Sequence, residues 1–234
     1  MINMFLVIII FMTLFLGIVK TRLEELLKGV PGTENFVQHL RDARSVWEIP
    51  EIMERYFRID GNHVSENSKV DAFTVLEGGI YIGEGSVVNP FTVVKGPAYV
   101  GRNCRIGPGA FLRQGVIIGD TCAVGHSTEV KNSVILDRSN APHRNHVGDS
   151  VIGVDGNLGD GTKLANFRLD GKDIEGRYAD RSFSGVKRRK LGAILEDGCK
   201  IGCNVVLSPG QYLAARTGMY VDRAAYVVCD LGKP

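Results

Sequence analysis

The sequence predicts an all-β domain wound as a parallel β-helix, and three observations carry that prediction. From Val64 onward aliphatic residues recur at every sixth position: Val64, Val70, Leu76, Ile82, Val88, Val94, Val100, Ile106, Leu112, Ile118, Val124, Val130 and Leu136. Four places after most of them stands a small or β-branched residue, among them Ser86, Thr92, Ala98, Cys104, Ala110, Val116, Cys122 and Thr128. The chain of 234 residues also holds 29 glycines without a collagen period, which suits a backbone that turns sharply many times. A six-residue period fits neither a single helix nor a hairpin meander. It aims every aliphatic side chain into one interior column, and three hexapeptides close a triangular coil.

After Leu136 the register slips. It resumes at Val147, Ile152 and Leu158, and then at Leu195, Ile201, Leu207 and Leu213. The β-helix is therefore assigned to residues 64–222, with an excursion loop at about 165–193 and a C-terminal tail at 223–234. The loop carries the basic run Lys187, Arg188, Arg189, Lys190. Long excursions from a regular scaffold are often functional, a plain surface loop being the equal alternative. Ahead of the repeat, residues 21–63 read as a helical cap or linker: Phe36, Leu40, Ala43 and Trp47 share a face, Thr33 is an N-cap, and Pro50 opens a second short helix. A stacked repeat needs such a cap because its end coil otherwise leaves an apolar face and open strand edges to water.

Residues 1–20 form an apolar segment. The stretch 4–19 is interrupted only by Thr13 and Gly17, and Lys20, Arg22 and Lys28 follow it. Its length just spans a bilayer, and the basic residues come after the apolar run instead of before it. That order favours an uncleaved anchor with the rest of the chain on the cytoplasmic side over a secretory signal; packing of the segment onto the domain is the alternative. The remainder reads as cytoplasmic. A net charge of +2, from 28 basic and 26 acidic residues, supplies no long-range field for nucleic acid. Five cysteines, an odd number with no close pair, suggest neither a disulfide framework nor a zinc site and fit a reducing compartment. Cys104 and Cys122 fall on small interior positions and read as core.

Chemistry is sought where polar residues meet the repeat. Arg113 and Lys131 are eighteen residues apart, one full coil, and so lie one above the other. With no acidic residue in line, two stacked cations repel, and a bound phosphate turns the repulsion into attraction. His143 lies in Ala141-Pro142-His143-Arg144-Asn145-His146-Val147-Gly148-Asp149, where the repeat breaks register and side chains are re-aimed. A histidine there can act as a general base near neutral pH; an exposed turn histidine is the plainer alternative. His143 and His146 form HxxH, but no third ligand points to a metal.

Four motifs in this order resemble one family: Ile106-Gly107-Pro108-Gly109-Ala110-Phe111-Leu112-Arg113, Val130-Lys131-Asn132-Ser133, the stretch 141–149, and Asn157-Leu158-Gly159-Asp160-Gly161-Thr162. They are similar to the acetyltransferase half of bifunctional sugar-1-phosphate nucleotidylyltransferase/acetyltransferases, over roughly residues 64–213. The resemblance implies a left-handed β-helix, against the usual right-handed crossover rule, assembled as a homotrimer with acetyl-CoA as co-substrate and an amino-sugar phosphate, glucosamine-1-phosphate or galactosamine-1-phosphate, as acceptor. It implies no metal for acetyl transfer. Under it His143 is the base, Arg113 and Lys131 are sugar-phosphate ligands, and Asn157 and Asn166 position the substrate. His146 and Phe167 stand where the family pattern has tyrosines, and His146 is counted with the substrate-binding group. Lys187 or Lys190 is a candidate for the phosphate contact of the family's lysine-bearing loop. Residues 20–63 do not hold a nucleotide-binding α/β domain, so uridylyl transfer is not expected. Outside this reading stands a non-catalytic β-helix that scaffolds a separate nucleotidyltransferase.

Overall fold

The computed structural model describes residues 4–178, 181–221 and 226–230. Among these residues, short strands stack into sheets of eight, nine and seven strands, parallel except for the last strand of the nine-stranded sheet, and successive strands of the coil enter successive sheets. This is the β-helix that the six-residue period predicts. Its interior is the expected aliphatic column, with Ile82, Val88, Val94, Ile106, Leu112, Ile118, Val124 and Val130 all buried. Cys104, Cys122 and Cys199 are buried among them as free thiols.

The ladder shows where the coil length changes. Asn62 pairs with Ile80, Ile80 with Ala98 and Ala98 with Val116, steps of eighteen residues. Val116 then pairs with Ser133, Ala123 with Asn140 and Glu129 with His146, steps of seventeen. Phe111 still pairs with Glu129 at eighteen, so one residue is lost at the corner holding Lys131, Asn132 and Ser133. The slip thus precedes Leu136. A shift of one residue turns a strand inside out, and Ile135 takes the interior position while Val134 and Leu136 face outward.

Those outward residues are covered by helices. Helix α1 (Met4–Leu27), helix α2 (Glu34–Asp42), a short 3-10 turn (Val46–Glu48) and helix α3 (Ile49–Tyr56) bury Val19, Leu23, Phe36, Leu40, Trp47 and Met53 against the outer face of the eight-stranded sheet. That face presents Tyr99, Ile117, Val134, Val151, Ile194 and Tyr212, and Trp47 lies 5.5 Å from the Tyr212 ring. The expected end cap is therefore corrected: the helices run along the flank of the stack, and the first coil keeps Val64 and Val75 exposed. Phe36, Leu40, Ala43 and Trp47 are buried together as their shared face predicts, and Pro50 stands in the first turn of α3.

The apolar N-terminal segment lies in helix α1. Among the described residues no helix is long and apolar enough to cross a membrane. From Met12 on, α1 packs on the domain through Met12, Phe15, Leu16, Val19 and Leu23. Two of the basic residues behind the apolar run turn into the protein: the Lys20 ammonium donates to the carbonyls of Arg41 and Ala43, and the Arg22 guanidinium reaches Asp137 at 2.6 Å and Asp120 at 3.1 Å.

The excursion at 165–193 is an antiparallel hairpin of Ile174–Tyr178 with Arg181–Arg188. Arg188 ties it to the helical flank through Glu54 of α3 at 2.5 Å. In the C-terminal region Tyr226–Asp230 runs antiparallel to Thr217–Val221; the rest of residues 222–234 lies outside the described residues.

Candidate active site

His143 ends the strand Asn140–His143 at the corner between the nine- and seven-stranded sheets, in register with His126 one coil earlier. The corner is locked from inside. The backbone N–H of His143 donates to the Asn145 side-chain oxygen at 3.1 Å, and the Asn145 Nδ2 donates to the Gly159 carbonyl at 2.7 Å. Asn145 is buried and continues an inner row in which the Thr92, Thr128 and Thr162 hydroxyls each donate to a backbone carbonyl of the next coil at 3.0–3.1 Å. Arg144 takes the left-handed turn position at φ 47° and pairs with Asp160, and the guanidinium holds that carboxyl below the usual carboxylate range. The His143 imidazole stays exposed, and among the described residues it makes no hydrogen bond to a protein group.

Around this corner lies the outer face of the seven-stranded sheet. One outward row runs Phe111, Glu129, His146, and the next runs Arg113, Lys131, Gly148. Gly148 leaves space that other side chains use: a Cβ there would stand 2.5 Å from Asn166 Nδ2 and 2.9 Å from His146 Nε2. Arg113, Lys131, His146 and Asn166 are thus brought to one face, beside His143. Asn157 is not among them. It lies in the nine-stranded sheet between Asn140 and Lys200, around the corner from the cations.

The stacking of Arg113 and Lys131 holds, but the expectation of an unbalanced cation pair is overturned. Arg113 pairs with Glu129 at 2.8 Å, and its guanidinium carbon lies 5.9 Å from the Phe111 ring centre. Lys131 lies 3.6 Å from Asp149, and Glu129 also lies 3.6 Å from His146 Nδ1. The acids are diagonal neighbours, not members of the same column, and long side chains reach that far across a sheet. Glu129 could have been found by following the outward alternation two places back from Lys131. Asp149 stands eighteen residues after Lys131, so the count that stacks the two cations also puts this acid in their column; the shortened coil moves it to the corner beyond, where it still reaches Lys131.

Asp149 organises that second corner. It is buried at φ 49°, with Oδ1 accepting from Asn132 Nδ2 at 2.8 Å and Oδ2 from Asn166 Nδ2 at 2.5 Å. Asn132, buried at φ 46°, also donates to the Pro50 carbonyl of α3 at 3.0 Å, and its Oδ1 has no hydrogen-bond partner among the described residues. A cleft beside it is lined by Lys131, Asp149, Lys187, Arg189 and Lys190 of the basic run, and Arg55 of α3. Lys187 is engaged by Glu175 at 2.8 Å, and the Arg189 guanidinium lies over Phe167 at 5.2 Å. Among the described residues no group of three or more His, Cys, Asp or Glu side chains is placed to hold a metal ion.

Comparison with known proteins agrees with the repeat and its position. Residues 94–178 match the family model of the GMPPB C-terminal domain, and residues 183–209 match the hexapeptide repeat of succinyl-transferase. A bifunctional sugar-1-phosphate nucleotidylyltransferase/acetyltransferase of Sulfurisphaera tokodaii is 40% identical over 86 residues, 37% of this chain and 21% of that protein. The bifunctional protein GlmU of Methanococcus maripaludis is 37% identical over 83 residues, 36% of this chain and 20% of that protein. The matched part thus spans about a fifth of these relatives. Among solved structures, the UDP-N-acetylglucosamine acyltransferase from Campylobacter jejuni aligns with a TM-score of 0.40 at 13% identity, over 72% of each chain.

Proposed function

We propose that this chain, a hexapeptide-repeat β-helix protein, transfers an acetyl group from acetyl-CoA to the amine of a phosphorylated amino sugar. The observation that carries the reading is the His143 corner: an exposed imidazole that has no hydrogen-bond partner among the described residues, on a backbone pinned by the buried Asn145, next to a face bearing Arg113, Lys131, His146 and Asn166. The partial relative from Sulfurisphaera tokodaii, which carries acetyltransferase in its name, supports the reaction class.

In this reading the imidazole takes a proton from the sugar amine as its nitrogen attacks the thioester carbon. The C–N bond forms, backbone N–H groups stabilise the oxyanion, the C–S bond breaks, and the imidazolium returns its proton to the leaving thiolate. The phosphate draws Arg113 and Lys131 away from Glu129 and Asp149. The homotrimer implied by the family resemblance is part of the proposal. One observation favours a second reading, a non-catalytic partner of a separate nucleotidyltransferase: both candidate phosphate cations are already balanced by carboxylates.

The test is release of free thiol from acetyl-CoA with glucosamine-1-phosphate and galactosamine-1-phosphate. His143→Ala is expected to lower kcat by about 10²–10⁴-fold, the usual contribution of a general base. Turnover that survives the substitution keeps the enzyme and refutes the base; a folded protein inactive with both sugars supports the second reading.

A further inference from the structure

We propose that the exposed stacked rings of Phe73 and Phe91 form a platform for a nucleobase, so that the amino-sugar phosphate accepted here carries a nucleoside monophosphate on its phosphate, joined as a diphosphate. The proposal rests on the acyl-transfer reading above and names its substrate class.

The two rings stand on consecutive coils with centroids 5.8 Å apart and planes at 27°, each residue 69% exposed. The Phe91 N–H donates to the Phe73 carbonyl at 3.2 Å, so the two share one corner of the stack. Phe91 sits there at φ 62°, a left-handed conformation costly for a bulky side chain. Among the described residues no other aromatic has a positive φ; most such corners use glycine, asparagine or aspartate. Strain combined with exposure gives a ring that contributes little to the core while occupying a position suited to a smaller residue, a pattern that marks sites of function.

The same corner continues toward the candidate base. Below Phe91 it holds Gly109 at φ 66°, then Ser127, then Arg144 beside His143. A Cβ on Gly109 would meet only the Ser127 hydroxyl, at 3.6 Å, so the third place in the aromatic ladder is open. Phe111, half-buried on the neighbouring outward row, flanks it. A planar ring lying there continues the Phe73–Phe91 stack at the strand spacing. From that level to His143 is two coils, about 10 Å. A ribose and a diphosphate bridge that gap between a base and a hexose. In coenzyme A the adenine is separated from the thioester by a diphosphate and the whole pantetheine arm, a longer chain than this distance takes up, so the acceptor's base is the occupant that fits.

Binding to the full chain is measured by titration calorimetry with uridine diphosphate, guanosine diphosphate, adenosine 3′,5′-diphosphate and glucosamine-1-phosphate. Phe91→Asn removes the ring and relieves the backbone strain, Phe73→Ala removes the neighbour, and Phe91→Trp keeps a stacking face. Removing a stacking aromatic is expected to weaken at least one of the first two ligands by about tenfold or more, with Phe91→Trp restoring it and glucosamine-1-phosphate unaffected in every variant. Equal affinities in parent and Phe91→Asn overturn the proposal. So does a loss confined to adenosine 3′,5′-diphosphate, which assigns the platform to the donor, or a change of sedimentation coefficient, which assigns it to contact between copies. Acetylation of glucosamine-1-phosphate reads the proposed function separately: if it proceeds while Phe91 is irrelevant to every nucleotide, only this inference falls.

Discussion

Replacing Asp149 by alanine tests whether one buried carboxylate holds the candidate site together. Asp149 is 1% exposed and accepts from Asn132 at 2.8 Å and Asn166 at 2.5 Å, with the Lys131 ammonium at 3.6 Å. Hydrogen bonds to a charged group contribute about 1.5–3 kcal/mol each, so losing two costs about 3–6 kcal/mol. The Asn132 amide keeps the Pro50 carbonyl, which draws the estimate to the lower end of that range. Alanine at φ 49° adds about 1 kcal/mol, since aspartate and asparagine tolerate the left-handed region better. The expected loss is about 4 kcal/mol in urea unfolding followed by circular dichroism, a large part of the 5–15 kcal/mol that is usual for a folded domain. Asp149→Asn keeps the backbone preference and one carbonyl oxygen and should lose about half as much. If Asp149→Ala stays within about 1 kcal/mol of the parent, or if the two variants lose equally, the carboxylate does not organise this corner and the reasoning from burial and bond lengths fails.

Glu196, 6% exposed and hydrogen-bonded by Tyr212 and the Ala215 N–H, has its carboxyl pushed by burial from 4.5 up to about 7. The folded state binds this proton more tightly than the unfolded chain does, so stability falls as pH rises from about 4.5 to about 7 and the loss is complete above that. Glu196→Gln should therefore melt higher than the parent at pH 8 and show no such gain at pH 4; a pH-independent difference refutes the assignment. Gly125→Ala places a Cβ 1.7 Å from the Pro142 carbonyl oxygen of the next coil, and should destabilise by at least about 2 kcal/mol in the same urea assay, a result within error of the parent showing that the coils can part there. Glu129→Gln frees Arg113 from a surface ion pair worth under about 1 kcal/mol and should lower KM for a sugar phosphate about two- to fivefold with kcat unchanged. A tenfold rise in KM would instead make Glu129 the group that positions Arg113 and His146.

The aliphatic six-step is legible because each hexapeptide must send one large apolar side chain into a narrow interior, and nothing else in the coil satisfies that demand. The location of the shortened coil is not, because Leu136 continues the count although it has turned outward. Under the helices both faces of a strand are buried, and such strands read as unbroken apolar runs. Val116, Ile117 and Ile118 carry that signal, as do Val134, Ile135 and Leu136, and Ile117 and Val134 meet the helices. The helical flank was thus written into the strands it covers, not into the helices themselves, which look the same whether they cover an end or a side. At the site, His143, Arg113 and Lys131 are legible by motif, and Asn166 by resemblance. The carboxylates that balance the cations were within reach of the count, Glu129 by alternation and Asp149 at the eighteen-residue step; the seventeen-residue step that puts Asp149 at the corner is what a period count does not resolve. Asn145 occupies a row of small interior residues, and only its bonds to the His143 N–H and the Gly159 carbonyl distinguish it from filler.

The lost residue at Lys131–Asn132–Ser133 connects the flank to the site. By inverting the following strand it sends Val134 outward, to the apolar surface that α1 and α3 cover. By tightening the corner it places Asn132 where one side chain reaches both the Pro50 carbonyl of α3 and the Asp149 carboxylate. The hairpin closes the circuit from the other side, since Arg188 holds Glu54 of α3 while its neighbours Arg189 and Lys190 border the cleft shared with Lys131. An eighteen-residue coil at this point would have kept Val134 in the interior register and presented Ile135 to the helices in its place. Coil length at one corner therefore sets both the attachment of the helical flank and the geometry of the cation face, and any substitution that loosens α3 from Asn132 acts on the site through Asp149.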